Sequence, residues 1–132
     1  VIGVVVVSHG HVAEELVKAA CAIVGEIPAI FAVSIGWSDD MSVARDAIEK
    51  AIAAVGEGDV LILTDMFGGT PTNVSLPFLS SRVEIVTGVN LPMLIKLSSL
   101  REGDLLEVAR VLRDQGRGAI SVATEVLGRR PS

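Results

Sequence analysis

His9 follows the run Val1-Ile2-Gly3-Val4-Val5-Val6-Val7-Ser8 and precedes Gly10. A β-branched run closed by Ser and Gly reads as a buried strand, and residues just past the carboxyl ends of such strands line the ligand crevice of an open α/β sheet. Asp65-Met66-Phe67-Gly68-Gly69-Thr70-Pro71 holds the same place after a second apolar run. An imidazole, a carboxylate and a glycine-rich anion receptor would then meet at one edge. Near neutral pH an imidazole keeps a lone pair on one ring nitrogen, which can attack phosphorus and leave again. A carboxylate on the other nitrogen selects the tautomer and supports the positive charge that grows on the ring, and Asp65 is the candidate. Phosphoryl oxygens need donors already aimed at them. The amides of Gly68, Gly69 and Thr70, at the start of the helix that Pro71 opens, supply them, and the Thr70 hydroxyl adds another. The chemistry these residues point to is phosphoryl transfer through His9.

Each residue also has a plainer reading. Asp65 could be a turn residue, Gly68-Gly69 an ordinary bend, and Thr70 with Pro71 a helix cap and first turn; their joint occurrence at two strand ends favours chemistry. His11 is a rival nucleophile but falls in the first turn of a helix, where a solvated surface imidazole is expected. Trp37, Met66 and Phe67 either cap the edge of the core or form an exposed apolar rim for a partner. Cys21, the only cysteine, reads as a small buried core residue, and alone it excludes an intramolecular disulfide or a thiolate metal cluster. Neither metal nor cofactor is expected.

The elements that must position these groups alternate regularly. Strands are expected at about Ile2 to Ser8, Ala29 to Ile35, Asp59 to Thr64 and Val83 to Thr87. Helices follow from His11 to Val24, from a cap at Ser38, Asp39 or Asp40 to about Val55, and from Pro71 to about Ser80. Two more lie near Met93 to Ser99, with Asn90 as cap, and Asp104 to Gln115. Ile120, Val122, Thr124 and Val126 alternate within Ala119 to Leu127, which predicts a fifth strand before a short tail, Arg129-Arg130-Pro131-Ser132. Strand alternating with helix argues for one α/β domain over residues 1–132, with a parallel sheet and right-handed crossovers. His9, Trp37, Asp65 to Thr70 and Asn90 would gather along its carboxyl edge.

Hydrophobic residues make up 50% of the chain and charged ones 20%, which fits a sheet covered on both faces. A net charge of −5 with 3% aromatics removes the basic footprint and stacking platforms of nucleic-acid binding. The acidic balance would instead steer encounter with a basic patch on another protein. The sequence contains neither a signal peptide pattern nor a membrane span, so a cytoplasmic location is expected.

With these residues in view, the chain resembles the mannose-type enzyme IIA domain of the bacterial phosphoenolpyruvate-dependent sugar phosphotransferase system. The matching pieces are Val5-Val6-Val7-Ser8-His9-Gly10, Leu63-Thr64-Asp65-Met66-Phe67-Gly68-Gly69-Thr70-Pro71-Thr72-Asn73 and Val86-Thr87-Gly88-Val89-Asn90-Leu91-Pro92-Met93-Leu94. They stand in the family's order and separation. The resemblance implies that His9 takes a phosphoryl group from the phosphocarrier protein HPr and passes it to a IIB subunit serving a membrane IIC/IID permease. Asp65 would hold the ring, and Thr70 with the amides of Gly68 and Gly69 would contact the phosphoryl oxygens. It implies a four-stranded parallel sheet of order 2-1-3-4 flanked by helices on both faces. A C-terminal antiparallel strand, exchanged in a homodimer, would be Ala119 to Leu127. With so little chain after that strand, the IIB acceptor is expected to be a separate polypeptide. Met66-Phe67 stands where other members carry Trp, which leaves the sugar open.

Two other functions fit parts of the pattern. A regulatory phosphoacceptor would use the same His9 without transporting sugar. A hydrolase of the histidine phosphatase kind needs an Arg before the His, where this chain has Ser8. The phosphodonor subunit of dihydroxyacetone kinase is nearer, but Gly68-Gly69-Thr70-Pro71 fits the sugar branch better.

Overall fold

Four apolar segments pair in parallel: β1 (Gly3–His9), β2 (Ile30–Ile35), β3 (Val60–Thr64) and β4 (Val83–Thr87), in the order β2-β1-β3-β4. This is the expected topology. The computed structural model describes residues 1–131; Ser132, the last residue of the expected tail, lies outside them. The helices are α1 (Val12–Val24), α2 (Met41–Ala54), α3 (Gly69–Ser75), α4 (Leu91–Leu97), α5 (Leu105–Gly118) and α6 (Ala123–Leu127). None among the described residues is long and apolar enough to cross a membrane.

β1 is central, and its side chains divide the core. Val4 and Val6 face Ala13 and Ala20 of α1, Leu94 and Leu97 of α4, and Val108 and Leu112 of α5. Val5 and Val7 face Ala44, Ile48 and Ala51 of α2 and Val74 of α3. All four valines are fully buried, each contributing about 2 kcal/mol by leaving water. Cys21 is half-buried and packs against the first of these clusters.

Helix starts are fixed by side chains. Of the three candidate caps before α2, Asp40 accepts the Val43 N–H at 2.9 Å, while Asp39 accepts the Gly36 N–H at 2.8 Å and closes the preceding turn. Asn90 caps α4 and Asp104 caps α5. α1 has no cap from His11; instead the Ser8 hydroxyl accepts the Ala13 N–H at 2.7 Å, tying the end of β1 to the helix it feeds. At the opposite end of the sheet Arg101, 8% exposed, donates to the carbonyls of Ile2, Pro28 and Ala29. Burial draws its guanidinium below the ordinary range, yet an arginine there stays charged and ties the starts of β1 and β2 together.

Two expectations differ from the structure. The helix expected from Pro71 begins at Gly69 and ends at Ser75, continuing as a 3-10 turn over Leu76–Phe78. Pro71 fits the first turn because its missing N–H has no partner there, whereas Pro77 cannot donate to a continuing helix. The larger correction is the fifth strand. Ala119 to Leu127 forms no strand in the sheet; α5 runs on to Gly118 and α6 occupies Ala123–Leu127. A strand needs a neighbour's backbone, and within one chain this segment lies on no sheet edge. Its amides bond locally instead, Glu125 and Val126 both donating to the Val122 carbonyl.

Candidate active site

From β1 the chain crosses to β2 on one side, while β3 flanks the other. Loops leaving these two strands therefore diverge, opening the crevice expected at a switch point in strand order. The register pairs Val7 with Thr64, so His9 and Asp65 emerge side by side. The backbone N–H of His9 and its ring Nδ1–H both donate to Asp65 Oδ2, each at 2.9 Å. Asp65 Oδ1 is buried and has no protein partner among the described residues, so the bonding of this carboxylate is directed to His9. Because a carboxylate only accepts, Nδ1 carries the proton and Nε2 keeps the lone pair. Both side chains are half-buried, with 23% of His9 and 17% of Asp65 exposed.

Nε2 faces glycine. A Cβ on Gly69 would lie 3.0 Å from both Nε2 and Cε1 of His9, and Gly69 has φ +76°, so both the approach and the backbone conformation favour a residue without a side chain. Gly68 precedes it as the N-cap residue of α3, and the amides of Gly69 and Thr70 fall in a first turn, where no intrahelical carbonyl is available. Thr70 is half-buried at this edge. The loop is anchored from below. The Thr72 hydroxyl donates to the Met66 carbonyl and, 2.8 Å away, accepts from Thr64, with both threonines buried.

His11 is a surface residue, its side chain 83% exposed and its Nδ1 3.3 Å from Glu14. Met66, Phe67 and Trp37 are exposed and form an apolar rim, not a cap on the core. Asn90 is structural: it caps α4 and donates to the Gly116 carbonyl. Sequence reasoning assigned no role to Ser8, Thr72 or Arg101. The signal was present for Thr72, three residues before Ser75 and so on the same helix face, but its partners were not legible. No group of three or more His, Cys, Asp or Glu side chains among the described residues could hold a metal ion.

An imidazole with Nδ1 held by a carboxylate and Nε2 facing a diglycine turn has its free nitrogen in a position from which it can act as a nucleophile. The EIIA-man family model, described as the PTS system fructose IIA component, matches residues 3–111. This chain belongs to the mannose-type EIIA family. The fructose-specific EIIA component of Bacillus subtilis (strain 168) is 31% identical to it over 121 residues, spanning 86% of this chain and 83% of that protein. The sorbose-specific EIIA component of Lacticaseibacillus casei is 30% identical over 97 residues, 72% of this chain and 70% of that one. Among solved structures, the mannose/sorbose-specific IIA subunit of the phosphotransferase system from Enterococcus faecalis superposes with a TM-score of 0.85 at 28% identity, covering 92% of this chain and 93% of that one. The EIIA domain described here is thus a phosphotransferase component with a phosphoryl-carrier role in a sugar phosphotransferase system.

Proposed function

We propose that His9 of this EIIA domain accepts the phosphoryl group of phospho-HPr on Nε2 and passes it to a separate IIB subunit. Through IIB it would serve a membrane IIC/IID permease that takes up a mannose-family sugar. The observation that carries this reading is the division of labour on one ring: Nδ1–H is engaged by Asp65, and Nε2 faces Gly69. In the forward step the Nε2 lone pair forms a bond to phosphorus. The bond from phosphorus to the donor atom breaks, and its electron pair returns to the donor. The proton stays on Nδ1, and Asp65 balances the positive charge left on the ring. The amides of Gly68, Gly69 and Thr70, with the Thr70 hydroxyl, hold the phosphoryl oxygens. Discharge to IIB reverses these bond changes.

The exposed apolar side chains of Met66 and Phe67 beside the nucleophile suit donors and acceptors that are themselves proteins. The domain works in the cytoplasm as a homodimer, in which α6 (Ala123–Leu127) unwinds so that residues 119–127 pair antiparallel with the partner subunit. Incubation with phosphoenolpyruvate, enzyme I and HPr tests the central step. An acid-labile, base-stable label is expected on the wild type and on His11→Ala, and none on His9→Ala. Label persisting in His9→Ala would overturn the assignment.

A further inference from the structure

Trp37, the sole tryptophan, stacks on His9 with ring centroids 5.4 Å apart and planes inclined by 20°. Core burial does not put it there, since 84% of the residue is exposed. The turn that carries it is pinned on both sides. Gly36 N–H donates to Asp39 Oδ2 at 2.8 Å, Asp39 N–H to the Gly36 carbonyl at 3.2 Å, and Gly10 N–H to the Ile35 carbonyl at 2.8 Å. The indole also passes over Gly10, where a Cβ would lie 3.6 Å from Trp37 Nε1.

The bond to Asp65 fixes one corner of the imidazole but leaves its plane free to tilt. A second aromatic ring lying on the face removes that freedom. We infer that Trp37 is a positioning residue for transfer at His9, holding the imidazole plane so that Nε2 stays aimed at Gly69 while Asp65 holds Nδ1. The electron-rich indole face also attracts the positive charge that develops on the imidazole as phosphorus bonds. Both effects act on the step itself, so the turnover rate is affected more than donor affinity.

The inference rests on His9 being the phosphoryl acceptor, and the test separates the two. Trp37→Ala is expected to lower kcat for acceptance from phospho-HPr about fivefold, with KM changed less than about twofold, and Trp37→Phe to recover most of the rate. As the only indole, Trp37 reports its own contact: its emission should differ between unphosphorylated wild type and His9→Ala, and should change again when the wild type is phosphorylated. A Trp37→Ala protein with wild-type kcat, a loss confined to KM, or identical emission from wild type and His9→Ala would each overturn the positioning role. A wild type that takes no phosphate would instead overturn the acceptor assignment, while the emission comparison would still decide whether the rings stack.

Discussion

One oxygen of Asp65, Oδ2, lies 2.9 Å from both the ring Nδ1 and the backbone nitrogen of His9. The backbone bond joins the ends of β1 and β3, and the ring bond sets the tautomer. Asp65→Asn keeps the size and can still accept the backbone bond. A neutral amide cannot balance charge on the ring, and its NH2 group can stabilise the wrong tautomer. Phosphoryl acceptance is expected to fall by about 10²- to 10⁴-fold, while the thermal midpoint moves by less than about 4 °C. Rapid-quench kinetics alongside thermal denaturation measure both. Parallel loss of folding and transfer would make Asp65 a structural residue only.

Gly68 and Gly69 separate backbone strain from crowding of the nucleophile. Both have positive φ, +80° and +76°, but a Cβ on Gly68 meets nothing within 4 Å, whereas one on Gly69 lies 3.0 Å from His9 Nε2. Alanine at either position should cost about 1 kcal/mol of stability from the left-handed backbone. Only Gly69→Ala also places a methyl group where phosphorus must approach, so it should accept phosphate at least about tenfold more slowly than Gly68→Ala. Unfolding curves and labelling rates on the two variants check this; the reverse ranking would remove Nε2 as the attacking atom.

Acid sensitivity has an identifiable surface contributor. The Val43 N–H and, after it, the Ser42 hydroxyl hold the Asp40 carboxyl below its ordinary range. A carboxyl depressed on folding favours the folded state above its unfolded pKa, and that contribution disappears as pH falls through the folded value. Asparagine caps a helix comparably but does not titrate. Wild type should therefore melt above Asp40→Asn near neutral pH, with the gap closing as pH falls through and below the ordinary carboxyl range. A gap that stays constant across the acid range would mean that the carboxylate charge contributes nothing.

The parts of the molecule that were legible in the sequence are those written in local pattern. The runs Val4 to Val7 and Leu61 to Leu63 must be strands buried on both faces, and His9 and Asp65 follow as residues at strand ends. That β1 and β3 are neighbours came from the family resemblance, since periodicity carries no strand order. What escaped reading depends on groups distant in sequence. Arg101 gains its role from three carbonyls that converge only when the starts of β1 and β2 adjoin. Thr72 needs Thr64 beneath it, and the Trp37 stack spans two loops. Ser8 caps α1 from five residues before Ala13, outside the usual capping spacing.

The C-terminal segment shows the opposite case, a local pattern that one chain cannot satisfy. Ile120, Val122 and Val126 are 79%, 59% and 70% exposed, although their alternation, continued by Thr124, suits a strand. β4 is an edge of the sheet, and between it and α5 lies a cavity of about 420 Å³ whose lining includes Ile85, Thr87, Leu106 and Ile120. An edge strand keeps one row of amides and carbonyls unpaired, so β4 of one subunit can receive the segment of another. Val122→Lys should leave the stability of the isolated subunit within about 0.5 kcal/mol, because the side chain is exposed there and lysine adds no cap to α6. In a dimer built on this pairing the same charge would be desolvated without a partner, at a cost of several kcal/mol. Sedimentation equilibrium should accordingly find wild type as a dimer and Val122→Lys as a monomer at the same concentration. A wild type that sediments as a monomer, or a variant that remains dimeric, would show that residues 119–127 do not join the subunits.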